Sequence, residues 1–140
     1  MPYEFFPHTG DVGIRLRGET LEALMQSAVE AFTDAVVDRS TVRGLTTGVV
    51  SCRAAAPDLL LQEFLSEVLY QFDARGRLIA DADVRITREA GEWVLDARTR
   101  GEQIDPARHR PKVLVKGVTY HALSAAETAE GWAGTVILDI

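Results

Sequence analysis

The sequence has a single cysteine, Cys52, which excludes an internal disulfide bond and a zinc site built from cysteines. It also lacks an apolar run of the roughly 18 residues that a membrane span requires, and its first residues do not resemble a secretory signal. We therefore expect a soluble, cytoplasmic protein. Cys52 lies in the alternating stretch 50–54, where a buried structural thiol is expected rather than a nucleophile.

Basic residues are also fewer than acidic residues. The chain carries 15 Lys and Arg residues against 21 Asp and Glu residues, which gives a net charge of −6 and an isoelectric point near 5.0. Proteins bind nucleic-acid backbones through clustered basic residues. We therefore do not expect direct contact with nucleic acid to supply most of this protein's affinity for its partners. A protein partner that itself handles RNA remains compatible with this charge. The composition and the length of 140 residues indicate one globular domain spanning 1–140.

Known catalytic motifs are missing too. The sequence has no phosphate-binding glycine loop, no nucleophile elbow and no histidine pair at the helical spacing of a metalloprotease. Its three histidines, His8, His109 and His121, are far apart but could converge in a three-histidine zinc site, or remain scattered surface residues. A small metal-dependent hydrolase with His109 or His121 as its base is a further alternative.

Two stretches have the apolar periodicity of amphipathic helices. The first spans about 20–37, with Thr20 as the N-cap, and the second begins at Pro57 and Asp58, with Asp58 as the cap, and ends at Gly76. The second has the most apolar stripe of the chain: Leu60, Leu61, Phe64, Leu65, Val68, Leu69 and Phe72. This stripe is predicted to be core. An exposed part of it would instead suit a general chaperone or scaffold protein.

The remaining segments predict β structure. The expected strands are an edge strand 3–6 ended by Pro7, a half-buried strand 12–16, a late strand 49–52, a hairpin over 83–97, and a second hairpin of 113–121 with 132–140. A polar loop is expected over 100–112, and a polar connection over 126–131. The predicted fold is α+β: two amphipathic helices packed on a largely antiparallel β-sheet.

Oxygen ligands are the most prominent candidates for function. The stretch from His8 to Gly13 is compatible with a turn that leads into a strand and also with a site where the backbone approaches an ion. Further acids, Glu102, Asp105 and Asp139, lie in predicted loops or at strand ends, and Ile140 adds an α-carboxylate if it is the natural terminus. Converging carboxylates, Asp11 among them, would suit calcium. The alternative is a solvated acidic surface.

Lys116 is unusual because it sits in an otherwise apolar strand. Strict alternation places it on the face of Leu114 and Val118, opposite His121. A bulge at Gly117 would shift the parity and let Lys116 and His121 share a face. The alternative is an edge-strand lysine that discourages aggregation.

Laid out in this way, the chain resembles the archease family, small partner proteins of the GTP-dependent tRNA-splicing RNA ligase. The resemblance is carried by blocks in family order that span essentially the whole chain: HTGDVG at 8–13, EVLYQFD at 67–73, GE at 101–102 with Asp105 and His109, KGVTYH at 116–121 and VILDI at 136–140. It departs at Gly10, where the family commonly has alanine, and at Pro7, where it has an acidic residue.

The resemblance implies an α+β fold and no stand-alone catalysis. It implies activation of the ligase, by promoting guanylylation of a ligase histidine and thereby repeated turnover. It also implies a divalent metal, often calcium, held at the positions of Asp11, Asp139 and Ile140, so the strands after Asp11 and before Asp139 must end side by side. Other polar positions of the family blocks match residues to which no individual role is assigned: Glu102, Asp105, His109, Lys116 and His121. His8 is open between ligand, orienting partner and bystander.

Overall fold

The structure is a computed structural model that describes residues 2–140. Its elements, in chain order, are β1 Tyr3–His8, β2 Asp11–Gly18, α1 Leu21–Val36, a 3₁₀ turn Arg39–Thr41, β3 Thr46–Ala54, α2 Pro57–Arg75, β4 Arg77–Glu89, β5 Glu92–Gln103, α3 Pro106–His109, β6 Gly117–Val118, β7 Ser124–Thr128 and β8 Gly131–Asp139. Among the helices of this described part, none combines the length and apolarity that a membrane crossing needs.

The strands form two antiparallel sheets. The larger sheet has the order β1-β2-β8-β6, with β7 also paired to β8, and the smaller sheet has the order β3-β5-β4. Helix α1 packs on β2 and β4, and α2 packs on β3, β6 and β7, so both helices lie between the two sheets. The predicted α+β fold is confirmed. The sequence predicted one sheet, whereas the structure has two. The apolar stripe of a helix shows that the helix is covered, but it does not show how many sheets cover it.

Helix α1 is buried on nearly all sides. Thr20 caps it as predicted, its hydroxyl accepting the Ala23 N–H at 3.1 Å. Two polar residues inside the layer are satisfied by backbone carbonyls: the hydroxyl of Ser27 donates to Arg17 at 3.1 Å, and that of Thr33 donates to Ile79 at 2.7 Å. These bonds allow a helix between two sheets to carry hydroxyls without a desolvation penalty.

Helix α2 supplies the centre of the core. Leu60, Phe64 and Val68 are at most 2% exposed, and Phe72 packs half-buried against them. The stripe is therefore core, as predicted, and its burial counts against the alternative of a chaperone surface on it. The predicted cap Asp58 is also wrong, since Ala56 occupies the cap position without a side-chain bond and the Asp58 carboxylate accepts the N–H of its neighbour inside the first turn.

Several strands are longer than predicted. Strand β1 runs through Pro7 to His8, which is tolerated because β1 is an edge strand and needs no N–H there. Strand β3 begins at Thr46, three residues before the predicted start at Val49. Strand β5 extends to Gln103, well into the predicted polar loop, because it is the central strand of a sheet with one solvated face and keeps partners on both sides.

The second hairpin is built differently from the prediction. Only Gly117 and Val118 of the segment 113–121 form a strand, and the hairpin partner of β8 is Ser124–Thr128. Val115 and Val118 are both buried although they are three residues apart, and Lys116 between them is exposed. The alternation therefore breaks near Gly117, because only Gly117 and Val118 pair with β8; their pairing with Asp139 and Leu138 is regular and contains no bulge.

Cys52 lies half-buried on β3 against the core. Burial raises the pKa of its thiol to about 12, with further contributions from the nearby Glu63, Glu67 and Asp96.

Because the thiolate is the reactive form, we expect an aromatic disulfide reagent to label Cys52 in native protein at mildly alkaline pH at least ~100-fold more slowly than in protein unfolded in urea. A Cys52→Ser variant is the blank, and equal rates in the two states would contradict this account.

Candidate functional site

The β1–β2 turn and the end of β8 meet at one end of the larger sheet. Strands β2 and β8 are antiparallel neighbours in which Val12 lies opposite Leu138. Asp11 precedes the first of these residues and Asp139 follows the second, so both carboxylates belong to the same sheet end. The expectation that these two strands end side by side is confirmed.

Strand β6 borders Asp139 from the other side. Gly117 lies opposite Asp139, and the Lys116 N–H donates to the Asp139 carbonyl oxygen at 2.7 Å. The Thr119 N–H donates to the Ile137 carbonyl at 3.0 Å, which extends this anchoring by one more pair. Asp139 is thus held by main-chain bonds between two strands, while its side chain and that of Lys116 are exposed.

His8 closes the turn on the other side of Asp11. The two residues face each other across the β1–β2 turn, in which Gly10 adopts φ +79°, a conformation that favours glycine. The Nδ1 atom of His8 lies 3.6 Å from Asp11 Oδ2, and the His121 ring lies 5.0 Å from the His8 ring at 57°. We call the group of His8, Asp11, Lys116, His121, Asp139 and Ile140 the carboxylate corner.

The donors available to a cation are limited. Within residues 2–140, no three His, Cys, Asp or Glu side chains are arranged to hold a metal ion, so the three-histidine zinc site is wrong. The oxygen donors at the carboxylate corner are the side chains of Asp11 and Asp139 and, where Ile140 ends the chain, its α-carboxylate. That set includes a main-chain group and does not need a third side chain.

The other predicted polar residues form a separate cluster around Glu102, which is 5% exposed. One carboxylate oxygen accepts the Arg43 main-chain N–H at 2.6 Å and lies 3.1 Å from His109 Nε2. The other pairs with the guanidinium of Arg108, which also donates to the Thr41 carbonyl at 2.7 Å. Glu102 therefore ties β5 to α3 and to the segment before β3.

His109 is held in one tautomer by its two neighbours. Its Nδ1 accepts the Asp105 N–H at 2.8 Å, so Nε2 carries the proton and donates to Glu102. The side chain has no exposed surface, and both nitrogens are engaged. His109 is thus unavailable as a hydrolase base. Asp105 caps α3 by accepting the Ala107 N–H at 3.2 Å.

The electrostatics of Glu102 follow from this set of donors. Burial alone would raise its pKa, but the hydrogen bonds from Arg43, His109 and Arg108, together with the Arg108 charge, lower it to about 2. The carboxylate is therefore ionised and internally paired. Sequence reasoning missed Arg43 and Arg108 as its partners; the adjacency of Arg108 and His109 in a polar segment was the only signal.

Comparison with known proteins relates the chain to a family. A sequence profile of the archease protein family matches residues 3–140. Protein archease of Pyrococcus furiosus is 32% identical over 139 residues, covering 99% of this chain and 98% of the relative. Protein archease of Methanosarcina acetivorans is 33% identical over 139 residues, covering 99% and 95%.

Solved structures give the same result for the fold. The solution structure of protein 1598 of Methanobacterium thermoautotrophicum aligns with a TM-score of 0.85 at 26% identity, over 99% of each chain. A crystal structure from Thermotoga maritima, described as an archease and possible chaperone, aligns with a TM-score of 0.55 at 17% identity, over 96% and 94%, and supports the fold alone. On the sequence evidence, the chain belongs to the archease protein family.

Proposed function

We propose that this protein is a non-catalytic accessory protein that activates a GTP-dependent tRNA-splicing RNA ligase. It would promote guanylylation of the ligase and so allow repeated turnover in tRNA splicing and RNA repair. The supporting observation is the carboxylate corner, where the ends of β2 and β8 bring Asp11 and Asp139 together. Family membership supports the choice of partner.

A divalent cation, with calcium as the expected ion, would be held by Asp11, Asp139 and the α-carboxylate of Ile140. The donor chemistry fits, since carboxylate oxygens are the ligands that calcium prefers. The structure adds an unsatisfied atom at the same place, because His8 Nδ1 is buried there without a hydrogen-bond partner. A bound cation would supply a concentrated positive charge at an otherwise acidic surface.

The chain's own residues would present this corner to the partner. Main-chain bonds from Lys116 and Thr119 fix the backbone of the last residues of β8, so that the position of Asp139 is set before the partner arrives. Two exposed residues lie beside Asp139 and His8: the Lys116 main chain bonds to Asp139, and the His121 ring lies 5.0 Å from the His8 ring. A surface with charges of both signs contributes to the specificity with which a complementary, charged active site is recognised more than to the affinity of the complex.

The other candidate functions have less support. A hydrolase using His109 as base conflicts with the engagement of both ring nitrogens and with the zero exposure of that side chain. A chaperone acting through α2 conflicts with the burial of Leu60, Phe64 and Val68. An accessory protein needs neither an internal base nor an exposed apolar stripe.

The test is the rate of ligase guanylylation from labelled GTP, with ligase alone and with this protein added. We expect the wild-type protein to increase the rate, and Asp11→Asn or Asp139→Asn to return it to that of the ligase alone, because each removes a charge from the carboxylate corner. Asp83→Asn is the matched control, since it neutralises an exposed carboxylate on the smaller sheet. Rates that stay at the ligase-alone value with wild-type protein, or at the wild-type value with both corner variants, would contradict the proposal.

A further inference from the structure

Strand β4 leaves one edge of the smaller sheet unpaired. The sheet has the order β3-β5-β4, so β4 pairs with β5 on one side only. Main-chain bonds alternate along such an antiparallel pair. The Ile104 N–H donates to the Gly76 carbonyl at 2.7 Å, and counting from this bond every second residue of β5 bonds to β4. The residues of β4 between these pairs direct their N–H and C=O groups to the open edge: Ala82, Val84 and Ile86.

The other side of β5 agrees with this count. Val49 of β3 lies opposite Arg98, and its carbonyl accepts the Gln71 side-chain N–H at 3.1 Å, on the side away from β5. Arg98 therefore directs its main-chain groups to the other neighbour, where it lies opposite Asp83 of β4.

Only the first part of the open edge is covered. The Thr33 hydroxyl donates to the Ile79 carbonyl at 2.7 Å, and the Arg39 guanidinium donates to the Ala80 carbonyl at 3.5 Å, beside the bulge between Ile79 and Asp81. Beyond Ala80, no side chain of residues 2–140 bonds to the open main-chain groups of β4. An unpaired edge is a template for another strand unless a bulge, a proline or a covering segment blocks it. Residues 82–86 contain neither a proline nor a bulge.

The side chains beside this edge carry charges of alternating sign. Asp83 and Arg85 are exposed on the outer face of the sheet, while Ala82 and Val84 between and beside them are 9% and 4% exposed and belong to the core. The ion pairs that residues 2–140 form on this face use other side chains, so the charges of Asp83 and Arg85 have no partner within 4.0 Å.

One register pairs two antiparallel copies of β4 with matched charges. Because the open groups belong to alternate residues, only registers that bond Ala82, Val84 and Ile86 to one another are possible. When Val84 lies opposite Val84 of the second copy, Asp83 lies opposite Arg85 of the second copy, twice by symmetry. Ala82 then lies opposite Ile86, so small and large apolar side chains meet on the inner face.

The neighbouring registers place like charges opposite each other. A shift of one step sets Asp83 opposite Asp83 or Arg85 opposite Arg85, and a shift of two steps sets Asp83 opposite Asp81 or Glu89. Like charges directly opposite each other destabilise a strand pair. The edge is therefore complementary to itself in a single register.

We infer that the open edge of β4 is a self-association surface, through which two copies of this chain pair with Val84 on the two-fold axis. The contact joins the two smaller sheets into one and uses the same patch on both copies. It lies on the smaller sheet, whereas the carboxylate corner lies on the larger, so the inference does not depend on the proposed function. Residues 81–87 are far fewer than the roughly 20–30 residues a side of a standard interface, so the dissociation constant is expected in the micromolar range.

The experiment is sedimentation equilibrium of the full chain from about 1 μM to about 1 mM, a range that brackets such a constant. We expect the wild-type mass to rise from 15.4 kDa toward twice that value. Asp83→Arg and Arg85→Asp should each raise the dissociation constant about 10-fold or more, because each sets like charges opposite each other across the axis. The double variant exchanges the two charges and should associate within about 3-fold of wild type. Glu127→Arg, the same change of charge on the exposed strand β7, is the matched control.

Amide hydrogen exchange of wild-type protein locates the contact without any substitution. The N–H groups of Ala82, Val84 and Ile86 should gain protection as the concentration rises, whereas those of Asp83 and Arg85, which already bond to β5, should not change. A wild-type protein that stays monomeric over the whole range would overturn the inference. The same holds for protection gained elsewhere than on β4, for single variants that associate as wild type does, and for a double variant that is folded by circular dichroism and does not associate.

Discussion

Gly101→Ala is expected to lower the free energy of unfolding by about 3 kcal/mol or more, as severe overpacking does. A Cβ atom at this position would overlap the carbonyl oxygen of Leu78 and would lie 3.0 Å from the Cα of Ile79. Both obstacles are backbone, so no side-chain rotation relieves them. Gly101 also sits on the central strand β5, opposite Thr46 on β3 and Ile79 on β4, and a shift here would disturb both pairings.

Urea unfolding followed by far-ultraviolet circular dichroism measures this loss. The matched control is Gly117→Ala, because a Cβ atom there meets nothing within 4 Å. We expect the control to unfold near the wild-type midpoint and Gly101→Ala to unfold at far lower urea or to be unfolded from the start. Coincident midpoints for the two variants would show that the close approach of β4 and β5 is not needed.

Glu102→Gln is expected to cost about 3 kcal/mol of stability, the usual range for breaking a buried, paired charge. The carboxylate accepts from three donors, the Arg43 main-chain N–H, His109 and Arg108. A glutamine amide would place an NH₂ group against at least one of them and would leave the Arg108 guanidinium without its partner. Asp105→Asn, which keeps an oxygen acceptor at the α3 cap, is the mild comparison.

The stability difference between wild type and Glu102→Gln should depend on pH, in a direction that follows from the lowered pKa of Glu102. The pKa of Glu102 is lowered from its ordinary value of 4.5 to about 2 in the folded protein. Its contribution to stability is thus fully present above the unfolded-state pKa and is lost as the pH falls from there through the folded value. The stability difference between wild type and Glu102→Gln should shrink on acidification from neutral pH to about pH 3. A difference that stays constant over that range would show that the ionised carboxylate is not the stabilising group.

The local signals in the sequence predicted the elements better than their boundaries. Thr20 and the spacing after it fix α1, because the cap and the apolar period act within one helix. Asp58 failed as a cap because Ala56 precedes a proline at the first helical position, and the sequence offered no sign of a helix capped without a side chain. The predicted end of β5 was wrong because the last residues of this strand are polar. Polar residues on the solvent-exposed face of a central strand resemble a loop when the neighbouring strands are not known.

The candidate site was predictable only where its residues lie at the ends of recognisable strands. Asp11 and Asp139 could be paired in advance because the resemblance joined them and the strands next to them were clear. The grouping of Glu102 with Arg43 depends on a contact 59 residues apart in sequence, made by a main-chain N–H that no side-chain pattern records. The position of His8 Nδ1 depends on the turn geometry at Gly10 and on the His121 ring, neither of which periodicity can supply.

The most direct test of the central claim is the number of RNA molecules joined by each ligase molecule, with RNA and GTP in excess. The account predicts that wild-type protein carries a limiting amount of ligase through many rounds. It also predicts that the double variant Asp11→Asn, Asp139→Asn, shown by circular dichroism to be folded, leaves product at the level reached without any added protein. Product at the wild-type level with the folded double variant would show that the carboxylate corner is not the part of this protein that acts on the ligase.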